Sequence, residues 1–436
     1  MASISDLPQE LVGKIVSELQ DDKPNLRTCA LISRIFVPWT RQYLFSSVRL
    51  TAANPYAFRI LVEQSPDVAA YVRRLDIPLS VDFKHISPII PSTTLVQLPN
   101  ITHLSAHSDP FDFRHLSPSQ ELSLADAARR LTTVEIFIDR LWPLPIWASL
   151  LNGCPALTTL VVQANNTGWS TWTAVEVALP MPAAPVPGTL RLHTLRVSGD
   201  CKILVPLGAW LVPQGALAAL HTLVFNVTYL TDDYDAPDAR PGLVLAAAPS
   251  LRELTLQLDP PMPLEPLEVG DGPVRLASFP RLRVLNLRDG YDATIDESLA
   301  WLAAFLLPPA SPSSSSYSPR DADSALEVLS FDHSMLRADL LAVPAATWRA
   351  IEGGLLGFDA DGEERDAHPH QQPHPHLRTV AFTGYQKLAS YQTPSIFTRR
   401  RRRGVQDPDA SFEHFSRTVR ERLPRLLERG MLVVGQ

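Results

Sequence analysis

Apolar residues recur in a fixed triplet along the central part of the chain. In each copy, an apolar residue is followed by a second one three positions later and by a third two positions after that. The copies begin at Val72, Ile101, Leu131, Leu157, Leu192, Leu220, Leu251, Leu282, Leu326 and Leu377. Most starts are about 30 residues apart, which indicates a repeat architecture. The second and third apolar residues of each triplet are two positions apart, which is the spacing of side chains on one face of a strand. Each copy therefore predicts one short, half-buried strand.

The residues around the triplets support the same register. Proline stands two positions before the start in five copies, and in most copies a short polar residue that can end a strand stands eight positions after it. Helix-like segments separate the strands at 147–151, 207–220, 242–248, 297–307 and 347–357. We therefore predict an α/β fold in which parallel strands with intervening helices stack into an irregular solenoid. The alternative is an ordinary α/β domain with a chance pattern.

Residues 1–50 follow a different, helical pattern. Leu11, Ile15 and Leu19 recur four positions apart, and Pro8 suits the first turn of a helix. Two further short helices are expected, one from about Pro24 and one between about residues 34 and 44. A unit this short is marginal alone, so its surplus apolar faces must contact the rest of the chain or a partner.

Composition marks the remaining boundaries. The segments near 308–322 (Ser and Pro) and 359–376 (acidic, then His and Pro) are typical of disordered insertions. We expect a helical unit at 1–50, the solenoid at 51–393, and a basic run with a helical tail at 394–436. The 40 prolines among 436 residues exclude a long coiled coil as the whole structure.

Charge and cysteine content limit the environment and the partners. The net charge of −7 argues against a nucleic-acid binder. The apolar run at 299–307 is too short for a membrane span, and the N-terminus lacks the pattern of a secretory signal. Three widely spaced cysteines do not form a disulfide framework. These features predict a cytoplasmic or nuclear protein.

The helical unit resembles an F-box. The matching elements are Leu7-Pro8, Glu10-Leu11, Ile15, Leu26, Ala30-Leu31, Ser33-Arg34 and Phe36. Phe36 stands where a tryptophan is usual, and Trp39 is a candidate substitute. The repeat region in turn is similar to the leucine-rich substrate-binding half of many F-box proteins.

The resemblance implies the substrate-recognition subunit of an SCF-type (Skp–cullin–F-box) ubiquitin ligase. Such a subunit is not an enzyme: it binds a Skp-type adaptor, through it a cullin, and a protein substrate. The residues expected at the adaptor are Leu7, Pro8, Leu11, Ile15, Leu31 and Phe36. Alternatively, these six residues only pack the helices together. A non-catalytic interaction scaffold that does not bind the ligase core is the second functional candidate.

Polar residues between the strand leucines are the candidates for substrate contact. They are mixed in sign, which favours a protein ligand over a phosphate-rich one. They are Asp76, Glu135, Arg196, Asn226, Gln257, Asn286, Arg288 and Asp332. The alternative is plain solvated strand surface.

The remaining motifs give weaker predictions. Arg399, Arg400, Arg401, Arg402 and Arg403 form a run that is either a solvated loop or a nuclear-import signal. His368, His370, His374 and His376 alternate with prolines and predict a linker, not a metal site. Motifs typical of hydrolases, zinc proteases and nucleotide binding are missing, so we expect no cofactor. An enzyme in an irregular α/β domain would need a convergent polar pocket.

Overall fold

The computed structural model shows an α/β protein with parallel strands. It describes residues 7–51, 54–77, 95, 97–107, 126–138, 144–164, 190–200, 203–228, 240–258, 268–269, 272–273, 275–289, 295–306, 325–334, 343–356, 374, 376–385 and 408–435. The chain divides into two compact units. The N-terminal unit comprises Met1–Leu192 with Pro213–Ala216, and the C-terminal unit comprises His193–Val212 with Leu217–Gln436.

Three helices open the N-terminal unit. They are α1 (Gln9–Ser17), α2 (Lys23–Ile32) and α3 (Val37–Leu44), with a 3-10 turn at Arg34–Phe36 before α3. The Asp22 side chain accepts a hydrogen bond of 3.1 Å from the Asn25 amide and so caps α2. Pro38 lies in the first turn of α3, where the absence of an amide proton costs nothing. The helical pattern of the sequence is confirmed at these residues.

The other elements that the structure describes in the N-terminal unit are five parallel strands and three helices. They are β1 (Ser47–Arg49), α4 (Pro55–Gln64), α5 (Pro66–Tyr71), β2 (Arg74–Ile77), β3 (His103–His107), β4 (Thr133–Ile138), α6 (Leu144–Asn152) and β5 (Thr159–Ala164). The strands lie side by side in chain order. Each strand thus pairs with the next strand along the chain, an arrangement that is compatible with a solenoid-like repeat.

The C-terminal unit continues the same alternation. Its elements are β6 (Thr194–Asp200), α7 (Leu204–Leu211), β7 (Thr222–Thr228), α8 (Arg240–Ala247), β8 (Glu253–Leu258), β9 (Glu268–Val269), β10 (Gly272–Pro273), β11 (Val284–Asp289), α9 (Ile295–Leu306), β12 (Val328–Ser334), α10 (Ala345–Leu356), β13 (Thr379–Tyr385), α11 (Pro408–Arg422), α12 (Pro424–Glu428) and β14 (Leu432–Gly435). The parallel strands run in the order β6-β7-β8-β11-β12-β13-β14, and β9 pairs with β10 in an antiparallel hairpin.

The leucine triplets form the core of both units. All thirty triplet residues are buried, and the most exposed of them, Leu377, is only 7% exposed. Equivalent residues are register partners: Leu75 faces Leu104 in the N-terminal unit, and Leu285 faces Leu329 in the C-terminal unit. Tryptophans Trp147, Trp210 and Trp348 from the helices complete the interior. Each copy thus buries one side of its strand, and stacking joins these sides into one apolar layer within each unit.

Candidate interaction surfaces

Four large apolar side chains of the helical unit are exposed to solvent, although the unit has its own hydrophobic core. The core consists of Val12, Val16, Leu26 and Phe36. Leu11 and Ile15, on the adjacent stripe of α1, are 49% and 45% exposed. At the end of α2, Leu31 is 87% exposed and Ile32 is 60% exposed. Exposed large apolar side chains in groups mark interaction sites more often than single ones do.

The structure places the six expected adaptor contacts in two classes. Leu11, Ile15, Leu31 and Pro8 are exposed, whereas Leu7 is partly buried against the helical core. Phe36 is 7% exposed and belongs to that core, which agrees with the alternative that it packs the helices together. Ile32 was not among the predicted contacts, although an apolar residue beside Leu31 at a helix end is a usable signal.

Trp39 has a structural role in the same unit. Three of its ring carbons lie 3.1, 3.1 and 3.2 Å from the point where a Cβ on Gly13 would stand. The glycine therefore lets the indole lie directly on the backbone of α1. Trp39 is half-buried and packs against the helical core, so it supports the fold of the unit alongside Phe36.

Polar side chains line the outer face of the strands in the N-terminal unit. Asp76, Ser105 and Glu135 are register partners on β2, β3 and β4. The Arg74 guanidinium lies 2.8 Å from an Asp76 oxygen and 3.5 Å from a Glu135 oxygen. The structure thus brings the predicted residues Asp76 and Glu135 into one network through an arginine that the sequence analysis did not select.

His103 joins this network from β3. Its Nε2 lies 3.3 Å from Oε1 of Glu135. Burial of the imidazole lowers the pKa of His103 below 6.5, with help from Arg74, and the carboxylates of Glu135 and Asp76 oppose the shift. The ring is therefore neutral at pH 7, and the network offers one guanidinium and two carboxylates to a ligand.

The predicted residues of the C-terminal unit lie on the outer face of its strands. Gln257, Arg288 and Asp332 are successive register partners on β8, β11 and β12. The Arg288 guanidinium lies 3.5 Å from Asp332. In another row, the Asn286 amide donates a 3.3 Å hydrogen bond to the Thr255 hydroxyl. This is a mixed polar surface without a single dominant charge.

The other two predicted residues of this face occupy neighbouring strands. Arg196 on β6 is exposed and is the register partner of Val224 on β7. Asn226 on β7 is the partner of Ser198, and its side-chain oxygen is buried without a hydrogen-bond partner. A buried amide oxygen without a donor is costly, so Asn226 has unused capacity for a polar ligand group.

Two of the four histidines of the His-Pro segment are described. His376 is exposed, and His374 is partly buried. Burial lowers the pKa of His374 to about 4, although a backbone hydrogen bond with Gly354 opposes the shift. Within the described ranges, no group of three or more His, Cys, Asp or Glu side chains could hold a metal ion.

His374 makes the stability of the protein depend on pH. Because its pKa in the folded protein is about 4, against 6.5 ordinarily, the unfolded chain takes up the proton first as the pH falls. The stabilisation is complete above pH 6.5 and is lost towards pH 4, with about 2 kcal/mol missing at pH 5. We expect the urea concentration at the unfolding midpoint to change less between pH 6.5 and pH 4 in His374→Phe than in the parent. An unchanged pH profile in the variant would assign the dependence to other groups.

Several predicted segments lie outside the described residues. They are the arginine run at 399–403, the insertion near 308–322, and all of the insertion near 359–376 apart from His374 and His376. Among the helices that the structure describes, none is both long enough and apolar enough to cross a membrane.

Comparisons with known proteins leave the chain without an assigned family. It matches no family model. It also matches no curated protein. A solved structure from Bacteroides fragilis, determined by a structural genomics consortium, is similar over 88% of this chain and 81% of that chain. The identity is 11% and the TM-score is 0.34, so this likeness supports no argument about fold or function.

Proposed function

We propose that the protein is a substrate-recognition adaptor of an SCF-type ubiquitin ligase. In this proposal the helical unit is an F-box that docks on a Skp-type adaptor and through it reaches a cullin. The leucine-triplet coils, as a leucine-rich-repeat-like solenoid, hold a protein substrate in the cytoplasm or nucleus. The chain contributes proximity, because it raises the effective concentration of the substrate near the ubiquitin carrier.

The observation that carries the proposal is the exposed apolar surface of a helical unit whose core is already complete. Val12, Val16 and Leu26 are buried in a core to which Leu31 and Ile32 do not belong. Burying these two side chains within the unit would therefore need a different fold. Amphipathic helices with such unpartnered side chains typically dock in an apolar groove of a partner. A few central residues then supply most of the binding energy.

The outer face of the strands supports the second half of the proposal. Rows such as Gln257, Arg288 and Asp332 stand at fixed register on neighbouring strands. A rigid sheet with alternating donors and acceptors suits a protein ligand, for which complementary charges provide specificity. The chemistry of ubiquitin transfer would take place on other subunits.

Adaptor binding is tested with the double variant Leu31→Asp/Ile32→Asp of the full chain. Two charges placed in an apolar interface should weaken binding to a purified Skp-type adaptor by about 30-fold or more, measured by calorimetry. Both side chains are exposed, so the fold should be retained. The matched control is Ile60→Asp on α4, which is 47% exposed and outside the helical unit, and it should bind as the parent does.

The outcomes separate the proposal from its alternative. Equal binding by the parent and the double variant would contradict docking through α2. If the parent itself fails to bind the adaptor but captures protein partners through its strand face, the chain is the non-catalytic scaffold. The non-catalytic scaffold remains the second candidate because Phe36 is buried at a position where a tryptophan is usual in an F-box. A smaller aromatic side chain in the core changes the positions of the helices that would contact the adaptor.

A further inference from the structure

A row of basic side chains crosses the C-terminal unit just before its strands begin. The residue that follows the first apolar residue of each triplet occupies an equivalent place in every coil; we call these residues the entry row. In the C-terminal unit the entry row consists of His193, His221, Arg252, Arg283, Glu327 and Arg378. Three of the six are arginines, and Arg281 lies two positions before Arg283.

A continuous hydrogen-bond ladder fixes the entry row. The His221 carbonyl accepts hydrogen bonds from the Arg252 and Glu253 amides at 2.8 and 2.9 Å. The Arg252 carbonyl accepts from Arg283 and Val284 at 2.8 and 3.0 Å, and the pattern repeats up to Arg378. Neighbouring rungs of such a ladder are about 4.8 Å apart. The side chains are thus held at regular intervals on a rigid backbone.

The arginines of the entry row are exposed, and Arg252 and Arg281 create a positive local field at His221. Arg252, Arg281 and Arg378 are exposed, and none of them forms an ion pair with another described residue. The pKa of His221 is lowered, first by partial desolvation and then by the positive charges of Arg252, His193 and Arg281. The imidazoles of His193 and His221 stack with centroids 5.2 Å apart.

Two of the carboxylates that the structure describes, Glu327 and Glu253, lie in or beside the row, and Glu327 shows how an acid is held there. Glu327 lies in the row itself, and its Oε1 stands 3.7 Å from Nε of Arg283. Glu253, the next residue after Arg252, lies 3.4 Å from the Thr222 hydroxyl. Within the part of the chain that the structure describes, Arg252, Arg281 and Arg378 therefore have no ion-pair partner, in a protein whose net charge is −7.

The coil geometry does not require these arginines. In the N-terminal unit, three of the four equivalent residues are Thr102, Thr132 and Thr158, which make the same backbone ladder. Their hydroxyls donate to the preceding carbonyls at 3.3, 3.1 and 3.2 Å, so a neutral side chain serves the structure fully. The positive charges in the entry row of the C-terminal unit are thus not needed for the fold. Exposed charges at fixed spacing are suited to electrostatic recognition of a ligand.

We infer that the entry row of the C-terminal unit binds an acidic, extended segment of a partner protein. Carboxylates spaced along such a segment can pair with successive guanidiniums, as Glu327 pairs with Arg283. A nucleic acid fits less well, because glutamates stand within and beside the row and the chain as a whole is acidic. This inference is independent of adaptor docking, since it uses no residue of the helical unit.

The test uses the full chain and a fluorescein-labelled Glu-Gly repeat peptide in an anisotropy titration at low salt. The triple variant Arg252→Gln/Arg281→Gln/Arg378→Gln should bind this peptide about tenfold more weakly than the parent, and a Gln-Gly repeat should not bind. The matched control, Arg27→Gln/Arg41→Gln/Arg73→Gln, removes the same charge from exposed arginines of the N-terminal unit and should bind as the parent does.

Three results would overturn the inference. They are equal losses in the two triple variants, no binding of the acidic peptide by the parent, and tighter binding of single-stranded DNA of equal charge than of the peptide. Circular dichroism of both triple variants provides the folding control. Because adaptor affinity is measured separately, failure here leaves the proposed ligase function standing, and failure of adaptor docking leaves this result unchanged.

Discussion

Replacing Phe382 with alanine lowers the free energy of unfolding of the C-terminal unit by about 3–5 kcal/mol. Phe382 is the third residue of the last triplet and is 1% exposed. Its ring lies 5.8 Å from that of Phe331 on β12 and 6.1 Å from that of Trp348 on α10. Truncation leaves a cavity between a strand and a helix that the rigid coil cannot close.

The measurement is urea unfolding followed by tryptophan fluorescence, because Trp348 is adjacent to the altered site. In Phe382→Leu the leucine side chain fills most of the space, so this variant should lose clearly less unfolding free energy than Phe382→Ala. The matched control is Thr383→Ala, one residue further along β13 on the opposite face, which should change stability by less than about 1 kcal/mol. If Thr383→Ala were as damaging as Phe382→Ala, the assignment of the two strand faces would be wrong.

The triplet pattern predicted the strands because burial of one strand face is repeated ten times in the sequence. Leu254, Leu285 and Leu329 occupy the same place in successive coils and are register partners in the structure. A chance pattern would not keep equivalent residues side by side. Local periodicity and the fold agree here because the same apolar layer determines both.

Two short strands could not be predicted, because each is too short to show an alternating pattern of apolar and polar residues. β1 has three residues and β14 has four, and both exist by pairing with a neighbour that is distant in sequence. β1 lies within residues 1–50, for which the sequence pattern indicated helices, and it pairs with β2. Pairing across coils also explains why the entry row was missed, since its members are contiguous only in three dimensions.

The division of the helical unit into core and surface was likewise only partly predictable. Leu11 and Val12 are both apolar neighbours on one helix, yet one is 49% exposed and the other fully buried. The helical period separates them by about 100° but does not say which stripe faces the other helices. Phe36 entered the core because a 3-10 turn directs it inward, and such a turn has no distinct sequence pattern.

Replacing Glu352 with alanine releases the C-terminal tail from the C-terminal unit. Glu352 on α10 is 8% exposed, and its Oε1 accepts hydrogen bonds from the Arg425 and Leu426 amides at 2.8 and 3.2 Å. These amides open α12, and the carboxylate satisfies them where the helix dipole is positive. Without it, two donors lose their acceptor, at a cost of about 2–4 kcal/mol to the docked tail.

The effect should appear as local opening at β13 and β14. The Val380 amide donates a 2.8 Å hydrogen bond to the Met431 carbonyl, and Val380 pairs with Leu432 across the two strands. We expect faster hydrogen exchange of the β13 amides that bond to β14 and earlier protease cleavage after α11. Amides inside the β8–β11 pair should keep their protection, since they bond within the unit independently of the tail.

Two control variants make this prediction specific to the buried carboxylate. Glu352→Gln retains an oxygen acceptor at the same place but loses the charge, so it should produce a smaller opening than Glu352→Ala. Glu421→Ala removes an exposed carboxylate from α11 close by and should leave the exchange of β13 unchanged. Protection of Val380 that is identical in Glu352→Ala and in the parent would show that β14 remains on the sheet through its own strand pairing alone.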